Sequence, residues 1–215
     1  MSDSLKKILR YKRLVFGILV CIGVFMCIHY ICTWEQQMRL EYRFISGFDA
    51  KISRSAGIDM LRECKYFPVL KDGKEHCFFE DGYGEGRSFG GNRKHEGIDI
   101  MPSENKAGIL KVRSVCDGVV EKKGWLKLGG YRIGIRSSSG NYYYYAHLDS
   151  YRKGLKCNEH VKAGNIIGYM GNTGYGDEGT RGKFPVHLHF GIYVRNKAGE
   201  KCVNPYYLLK KLESR

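Results

Sequence analysis

Residues 186–194 read VHLHFGIYV, an apolar run that carries two histidines, His187 and His189. On a β-strand, side chains two residues apart project to the same face of the sheet. We therefore expect both imidazoles to line one cavity, while Leu188 between them packs into the core. Two histidines held on one face of a rigid strand are a typical foundation for a metal site.

A second stretch, residues 95–99, reads HEGID and supplies two more residue types that bind zinc, an imidazole and a carboxylate. His95 and Asp99 are four residues apart and could share one face of a helix, but the nearby glycines argue against a helix. We therefore expect His95 on a loop that enters a strand near Ile98. An H-x-x-x-D pattern is common by chance, so its weight comes from the other histidine stretches.

The third stretch is the run NYYYYAHL, which ends in another histidine at position 147 followed by leucine. Strand alternation predicts that Tyr145 and His147 share one face of the sheet and that Ala146 and Leu148 share the other. On this face Tyr145 would either hydrogen-bond a substrate or pack within an aromatic sheet. The three stretches together favour a metal site, which none of them indicates alone.

From about residue 64 onward, short apolar runs alternate with glycine-containing turns, and GNIIGYMGNTG at residues 164–174 predicts a strand and a tight turn leading toward HLHF. Helices are expected only in the stalk described below and at residues 205–212. The pattern predicts a mainly β domain, an antiparallel sheet or barrel-like sandwich. The predicted strands lie near residues 75–80, 98–101, 109–122, 131–137, 141–148, 165–170 and 187–194.

The N-terminal part contains LVFGILVCIGVFMCIHYIC at residues 14–32, nineteen residues without a formal charge. As a helix this segment would span about 28 Å, close to a bilayer core of about 30 Å. It predicts an uncleaved transmembrane helix. A cleaved signal peptide is the alternative, but the run is longer than a usual signal-peptide core and no small-x-small cleavage site follows it.

Basic residues crowd the N-terminal side of this segment, and the positive-inside rule then keeps the N-terminus in the cytoplasm. The residues compared are Lys6, Lys7, Arg10, Lys12 and Arg13 before it against Arg39 and Arg43 after it. The predicted organisation is a cytoplasmic basic tail (1–13), a single-pass transmembrane helix (14–32), a stalk (33–63) and an extracytoplasmic domain (64–212). The domain would therefore lie outside the cell membrane.

The order HEGID, YAHL, GYMGNTG and HLHF resembles the lysostaphin-type (LytM-like) family of zinc peptidoglycan endopeptidases over roughly residues 84–194. The resemblance implies a β-sheet groove that holds one zinc ion. Matched residue by residue, it implies zinc ligation by His95, Asp99 and His189, and catalytic roles for His147 and His187. Three protein ligands would leave a fourth zinc position open, as a catalytic zinc site requires.

The resulting prediction is a membrane-anchored zinc metalloendopeptidase that hydrolyses peptide bonds in cell-wall peptidoglycan. The alternative is a catalytically silent scaffold of the same fold that binds the wall or an extracytoplasmic protein partner. All five site positions hold competent residues, which favours the enzyme. The formal net charge of +14 does not indicate nucleic-acid binding, because the basic residues form no dense stripe and the domain is expected to face outward.

Overall fold

The computed structural model describes residues 3–47, 54–70, 76–88, 91–196 and 199–214. Contacts within the chain divide it into two units, residues 1–43 and residues 44–215. Each unit is described separately below.

The first unit is built on one long helix, α1, which runs Asp3–Gly47. Its segment Arg10–Trp34 is long and apolar enough to cross a membrane, although a signal sequence near the N-terminus has the same properties. Large apolar side chains on it, among them Phe16, Phe25 and Ile28, are more than half exposed. The predicted apolar helix at 14–32 therefore forms, with an apolar surface around it that fits a membrane anchor.

The second unit contains twelve strands and two helices within the described residues. The helices are α2 Arg54–Glu63 and α3 Tyr206–Glu213. The strands are β1 Cys77–Phe79, β2 Gly86–Arg87, β3 Arg93–Lys94, β4 Ile98–Pro102, β5 Lys111–Arg113, β6 Gly118–Leu126, β7 Gly130–Arg136, β8 Tyr142–Tyr151, β9 His160–Val161, β10 Ile166–Met170, β11 Leu188–Asn196 and β12 Gly199–Val203.

Ten of these strands form one sheet, whose main order is β1-β4-β11-β8-β7-β6-β9. Strand β10 pairs with β5 and β8, β12 pairs with β11, and β2 and β3 form a separate two-stranded ribbon. Every pairing among the described strands is antiparallel. The predicted mainly β, antiparallel fold is confirmed.

Alternation along the central strands separates a buried face from a face that borders a groove. Ile133 and Ile135 of β7 and Tyr143 and Tyr145 of β8 are fully buried, as is Phe190 of β11. The Tyr145 and Phe190 rings meet edge to face, with their centroids 5.3 Å apart. The intervening residues of these strands are therefore left to form the groove face.

The predicted strand at 109–122 is two strands, β5 and β6, separated by a turn. The hydroxyl of Ser114 donates to the carbonyl oxygen of Cys116 at 2.6 Å. The backbone amide of Ser114 donates to the carbonyl oxygen of Asn165 at 2.9 Å. These hydrogen bonds pair polar groups of the turn, in place of the hydrogen bonds that one continuous strand would make with its neighbour. The short strands β9 and β12 were not predicted, since two to five residues carry too little alternation to be recognised.

Helix α2 is fixed to the sheet domain through its last residue, Glu63. The Glu63 carboxylate accepts hydrogen bonds from Ser139 Oγ at 2.6 Å, from Asn141 Nδ2 at 2.9 Å and from the Tyr143 hydroxyl. Met60 of the same helix is fully buried in the core. The sheet domain therefore includes residues that precede position 64.

The core predicts a large difference between two isoleucine truncations. Ile135→Ala should lower the free energy of unfolding by about 2–5 kcal/mol, because it opens a cavity at a fully buried site. Ile109→Ala, at a side chain that is 53% exposed, should lower it by no more than about 0.5 kcal/mol. Denaturant unfolding of the detergent-purified chain measures both, and equal losses would contradict the assigned core.

Candidate metal centre

Three predicted ligand residues bring one atom each to a common point. The Nε2 atom of His95 lies 3.0 Å from Oδ1 of Asp99 and 2.9 Å from Nδ1 of His189. The third side of this triangle, from His189 Nδ1 to Asp99 Oδ1, is 3.1 Å. Within the described residues, these three form the group of histidine, cysteine and acidic side chains that could hold a metal ion.

Strand register produces this triangle. On neighbouring strands, His189 of β11 is paired directly with Asp99 of β4. His95 precedes β4, and its amide donates to the carbonyl oxygen of Glu85 at 2.8 Å. The prediction that His95 lies on a loop before a strand starting at Ile98 is therefore confirmed.

The donor set fits a zinc ion. Tetrahedral zinc with bond lengths of about 2.0–2.2 Å separates its ligand atoms by roughly 3.4 Å, close to the sides of this triangle. Two imidazole nitrogens and a carboxylate oxygen all facing one point are electron-rich, and a cation there satisfies all three. The residues present are therefore chemically and geometrically suited to zinc.

In His95 and Asp99, the side-chain atom that faces away from the common point is also held by a hydrogen bond. His95 Nδ1 lies 2.9 Å from the carbonyl oxygen of Gly82, which accepts its proton in the tautomer that leaves Nε2 free for a metal. The Arg87 guanidinium lies 2.9 Å from the same Nδ1 and donates to Asp99 Oδ2 at 3.2 Å. Burial acts to raise the pKa of Asp99, but hydrogen bonds with His189 and His95 outweigh it and hold this pKa below its usual range.

The two predicted catalytic histidines lie beside this cluster. His147 and His187 have ring centroids 4.6 Å apart, and His187 Nε2 is 3.8 Å from Asp99 Oδ1. Each ring places Nδ1 2.8 Å from a backbone carbonyl oxygen, that of Thr173 for His147 and that of Pro185 for His187. Nδ1 therefore carries the proton in both, because a carbonyl can only accept, and both Nε2 atoms keep a lone pair.

Burial lowers the pKa of His147 well below its usual value, and the imidazoles of His187 and His189 add to this effect. Burial also lowers the pKa of His187, although the Asp99 carboxylate opposes the change. Both imidazoles are therefore neutral near pH 7 and able to accept a proton.

The prediction that Tyr145 and His147 share a face is wrong. Tyr145 is fully buried, and its hydroxyl accepts a hydrogen bond from the Val115 amide at 3.0 Å, so it cannot contact a substrate. His147 reaches the groove because its backbone is in the left-handed region, with φ of 60°. On the neighbouring strand β7, the single residue Arg132 lies opposite both Ala146 and His147. This two-to-one pairing is a β-bulge, and it shifts the alternation of side chains along β8 by one residue.

Thr173 of the predicted tight turn positions His147. Besides its carbonyl contact with the imidazole, its hydroxyl donates to the Leu148 carbonyl oxygen at 2.7 Å and accepts from the Tyr131 amide at 3.0 Å. The threonine is fully buried. The GNTG turn thus does more than reverse the chain, because it fixes both the strand and the ring of His147.

The cluster lies in a groove of about 680 Å³. Tyr142, Tyr144 and Tyr193 line it together with Arg132 and Glu200. Tyr144 and His189 have ring centroids 5.9 Å apart. Sequence reasoning missed these groove residues, although alternation against the buried Tyr143 and Tyr145 could have identified Tyr142 and Tyr144.

Glycines let the groove tyrosines lie flat across the sheet. A Cβ atom at Gly134 would come within 1.8 Å of the Tyr142 hydroxyl oxygen, and one at Gly129 within 2.3 Å of the Tyr144 hydroxyl oxygen. Neither position can carry a side chain without displacing the ring above it.

Comparison with known proteins identifies the family. The family described as peptidase family M23 matches residues 93–205, more than half of the chain, and its match spans all five site residues. The chain belongs to peptidase family M23.

Two curated relatives and one solved structure are similar to this M23 chain. It is 46% identical over 169 residues to the L-Ala--D-Glu endopeptidase of Bacillus subtilis, covering 79% of this chain and 49% of that protein. It is 31% identical over 138 residues to the glycyl-glycine endopeptidase ALE-1 of Staphylococcus capitis, covering 61% and 34%. The chain thus spans half or less of the length of these relatives.

A candidate glycyl-glycine endopeptidase, lytM, from Ruminococcus gnavus has a similar crystal structure. Its TM-score to this chain is 0.69 at 47% identity, over 75% of this chain and 65% of that one. The agreement in backbone supports the mainly β architecture of the M23 domain.

The loop before HLHF packs against His147 and His187. Phe184 packs its ring 4.6 Å from that of His147 and 5.1 Å from that of His187, measured between centroids. Tyr175 packs 4.7 Å from Phe184, and its hydroxyl accepts from the Arg93 guanidinium at 3.1 Å. These aromatic rings cover the two histidines on the loop side and account for part of their burial.

Gly97 generates a prediction about the metal centre. A Cβ atom there would come within 2.6 Å of both His189 Cε1 and the Phe190 carbonyl oxygen, so Gly97→Ala must displace the His189 ring. Zinc affinity should fall about 10–100-fold, as for other changes that misorient a ligand. Gly86→Ala is the control, because no group other than its two chain neighbours lies within 4 Å of its Cβ position. Competition with a zinc chelator measures both, and equal affinities would contradict the assignment.

Proposed function

We propose that this protein is a membrane-anchored zinc metalloendopeptidase that hydrolyses peptide bonds of peptidoglycan. The observation that carries the proposal is the convergence of His95 Nε2, Asp99 Oδ1 and His189 Nδ1 within 3.1 Å of one another. Two neutral imidazoles, each with an unprotonated Nε2, adjoin this triangle. The combination of three ligands and adjacent proton acceptors is typical of a hydrolytic site.

His95, Asp99 and His189 would hold the zinc ion. When bound, zinc supplies Lewis-acid polarisation of the scissile carbonyl group and activation of a water molecule. Asp99 contributes a negative charge to this site, and the Arg87 guanidinium on its other oxygen orients the carboxylate. The His95 ring is oriented by its contact with Gly82.

The Nε2 atoms of His147 and His187 are the proton-transfer groups in this proposal. A neutral Nε2 can take a proton from the attacking water and, once protonated, can donate to the leaving amine nitrogen or hydrogen-bond the developing oxyanion. The Nδ1 contacts with Thr173 and Pro185 keep the Nε2 atoms aimed at the reacting peptide. Hydrolysis breaks the C–N bond, adds hydroxide to the carbonyl carbon and returns a proton to the amine.

The substrate assignment draws on the relatives together with the groove. Both curated relatives are named as endopeptidases, one for an L-Ala--D-Glu bond and one for a glycyl-glycine bond. The groove is open enough for an extended peptide, and its aromatic walls offer flat surfaces for peptide groups. We therefore assign peptidoglycan peptides as the substrate class.

The N-terminal segment would anchor the enzyme. Residues 14–32 form the single transmembrane helix of the proposal, with the tail 1–13 in the cytoplasm. The stalk and the peptidase domain, which includes helix α2, would lie outside. The flanking lysines and arginines on the N-terminal side support this orientation. The enzyme would then act on wall close to the membrane surface.

Two histidine truncations test the proposed division of roles. His189→Ala should abolish zinc retention, because it removes one of three ligands. His187→Ala should retain about one zinc ion per chain while hydrolysis falls at least about 100-fold. Zinc content by elemental analysis and release of fragments from purified wall, followed by mass spectrometry, measure the two effects.

Lys153→Gln, at an exposed residue, provides the control for these variants and should retain both zinc and activity. Equal metal content and equal activity in the two histidine variants would refute the assignment. If the unmodified protein binds wall and zinc but releases no fragments, the scaffold reading replaces the enzyme.

A protease added to intact, wall-stripped cells tests the proposed topology. The C-terminal domain should be removed, because the helix orientation puts it outside the membrane. Immunoblotting of a C-terminal tag, with a cytoplasmic protein as the control for cell integrity, follows the digestion. Full protection of the tag would overturn the outward orientation.

A further inference from the structure

The groove beside the metal centre is rich in positive charge. Six of its lining residues are lysine or arginine, against three that are acidic. One of the three is Asp99, a proposed metal ligand that already faces Arg87. The groove is therefore suited to a substrate that carries negative charge.

One of these basic residues, Arg132, lies on a central strand of the sheet. It lies on β7 opposite the bulge that carries Ala146 and His147. In strand pairing it shares the groove face with Tyr144, whose ring is adjacent to His189. Its guanidinium thus lies on the same wall as the proposed catalytic and metal-binding histidines.

The guanidinium of Arg132 has an unsatisfied donor. Its Nη1 atom is buried and has no hydrogen-bond partner within the part of the chain that the structure describes. Leaving such a charged donor unpaired is unfavourable. Arg152 also has one unpaired buried nitrogen, but its charge is matched by a salt bridge to Glu159.

The neighbouring carboxylates are already occupied by a different arginine. Arg136 binds Glu121 at 2.6 Å through Nε and Glu200 at 2.6 Å through Nη1. No salt bridge joins either glutamate to Arg132 among the described residues. Arg132 therefore has no carboxylate partner among the described residues, while its side chain lines the groove that a ligand would enter.

We propose that Arg132 binds a free carboxylate of the substrate peptide, on an acidic residue next to the scissile bond. Arginine matches a carboxylate with two parallel N–H···O bonds, which fixes orientation as well as charge. Adjacent strands lie about 4.8 Å apart and an extended peptide advances about 3.3–3.6 Å per residue. A carboxylate at Arg132 therefore belongs within about two residues of a peptide bond held beside His147. This inference rests on the proposed endopeptidase function and specifies its substrate class.

Two peptides that differ in one group test the proposal. Both contain an alanyl-D-glutamyl bond. The glutamyl carboxyl group that forms no peptide bond is free in one peptide and amidated in the other. The zinc-loaded full chain in detergent should cleave the free-carboxylate peptide with kcat/KM about 10–100-fold higher, the effect of a charge-assisted hydrogen bond. Arg132→Gln should remove this preference by lowering the rate on the free-carboxylate peptide far more than the rate on the amidated peptide.

Arg132→Lys, which keeps the charge but loses the two-pronged geometry, should retain part of the preference. Lys153→Gln, at an exposed residue that does not line the groove, is the control and should keep both rates. The proposal is overturned if the unmodified enzyme does not discriminate between the peptides, or if Arg132→Gln lowers both rates equally.

A binding measurement separates this inference from the proposed function. In a His187→Ala background, fluorescence anisotropy of the same labelled peptides should give about tenfold tighter binding of the free-carboxylate form, lost on adding Arg132→Gln. If neither peptide is cleaved but this difference is found, the endopeptidase proposal fails and the carboxylate site stands. Equal affinities before and after the Arg132 change overturn the carboxylate site.

Discussion

The structure of the site depends on one electrostatic constraint, the meeting of three electron-rich atoms at one point. His95 Nε2, Asp99 Oδ1 and His189 Nδ1 are held within 3.1 Å of each other by strand pairing and by contacts behind the ligands. Such an arrangement is stable only when a cation, or protons on the nitrogens, offset the lone pairs. The surrounding architecture maintains this geometry and leaves one side open to the groove.

That architecture is rigid because two of the three candidate ligands, Asp99 and His189, lie on paired strands near the middle of a large sheet. Strand β11 pairs with β4 on one side and with β8 on the other, so His189 faces Asp99 and Ala146 in adjacent positions. Buried side chains such as Leu188 and Phe190 hold β11 against the core from behind. Functional groups on such a scaffold lose little further freedom when a substrate binds.

Several parts of this arrangement were predictable from local patterns. Alternation in HLHF put His187 and His189 on one face and Leu188 in the core, and the glycines around HEGID correctly excluded a helix for His95. The same alternation failed at Tyr145 and His147, because a bulge and a positive φ at His147 turn both Ala146 and His147 toward the groove. A bulge depends on the neighbouring strand, so the sequence of one strand does not reveal it.

The sequence by itself determined the residue types of the site, their order along the chain, the apolar N-terminal helix and the antiparallel β class, because each is a local property of composition or period. The tertiary structure alone decided which atoms meet. Residues 95, 147 and 189 are far apart in the chain, and only the pairing of β11 with β4 and β8, together with the loop before β4, brings their imidazoles together. Likewise, the unpaired guanidinium of Arg132 is a property of its neighbours, since a charge is satisfied or unsatisfied only with respect to the groups that folding places around it.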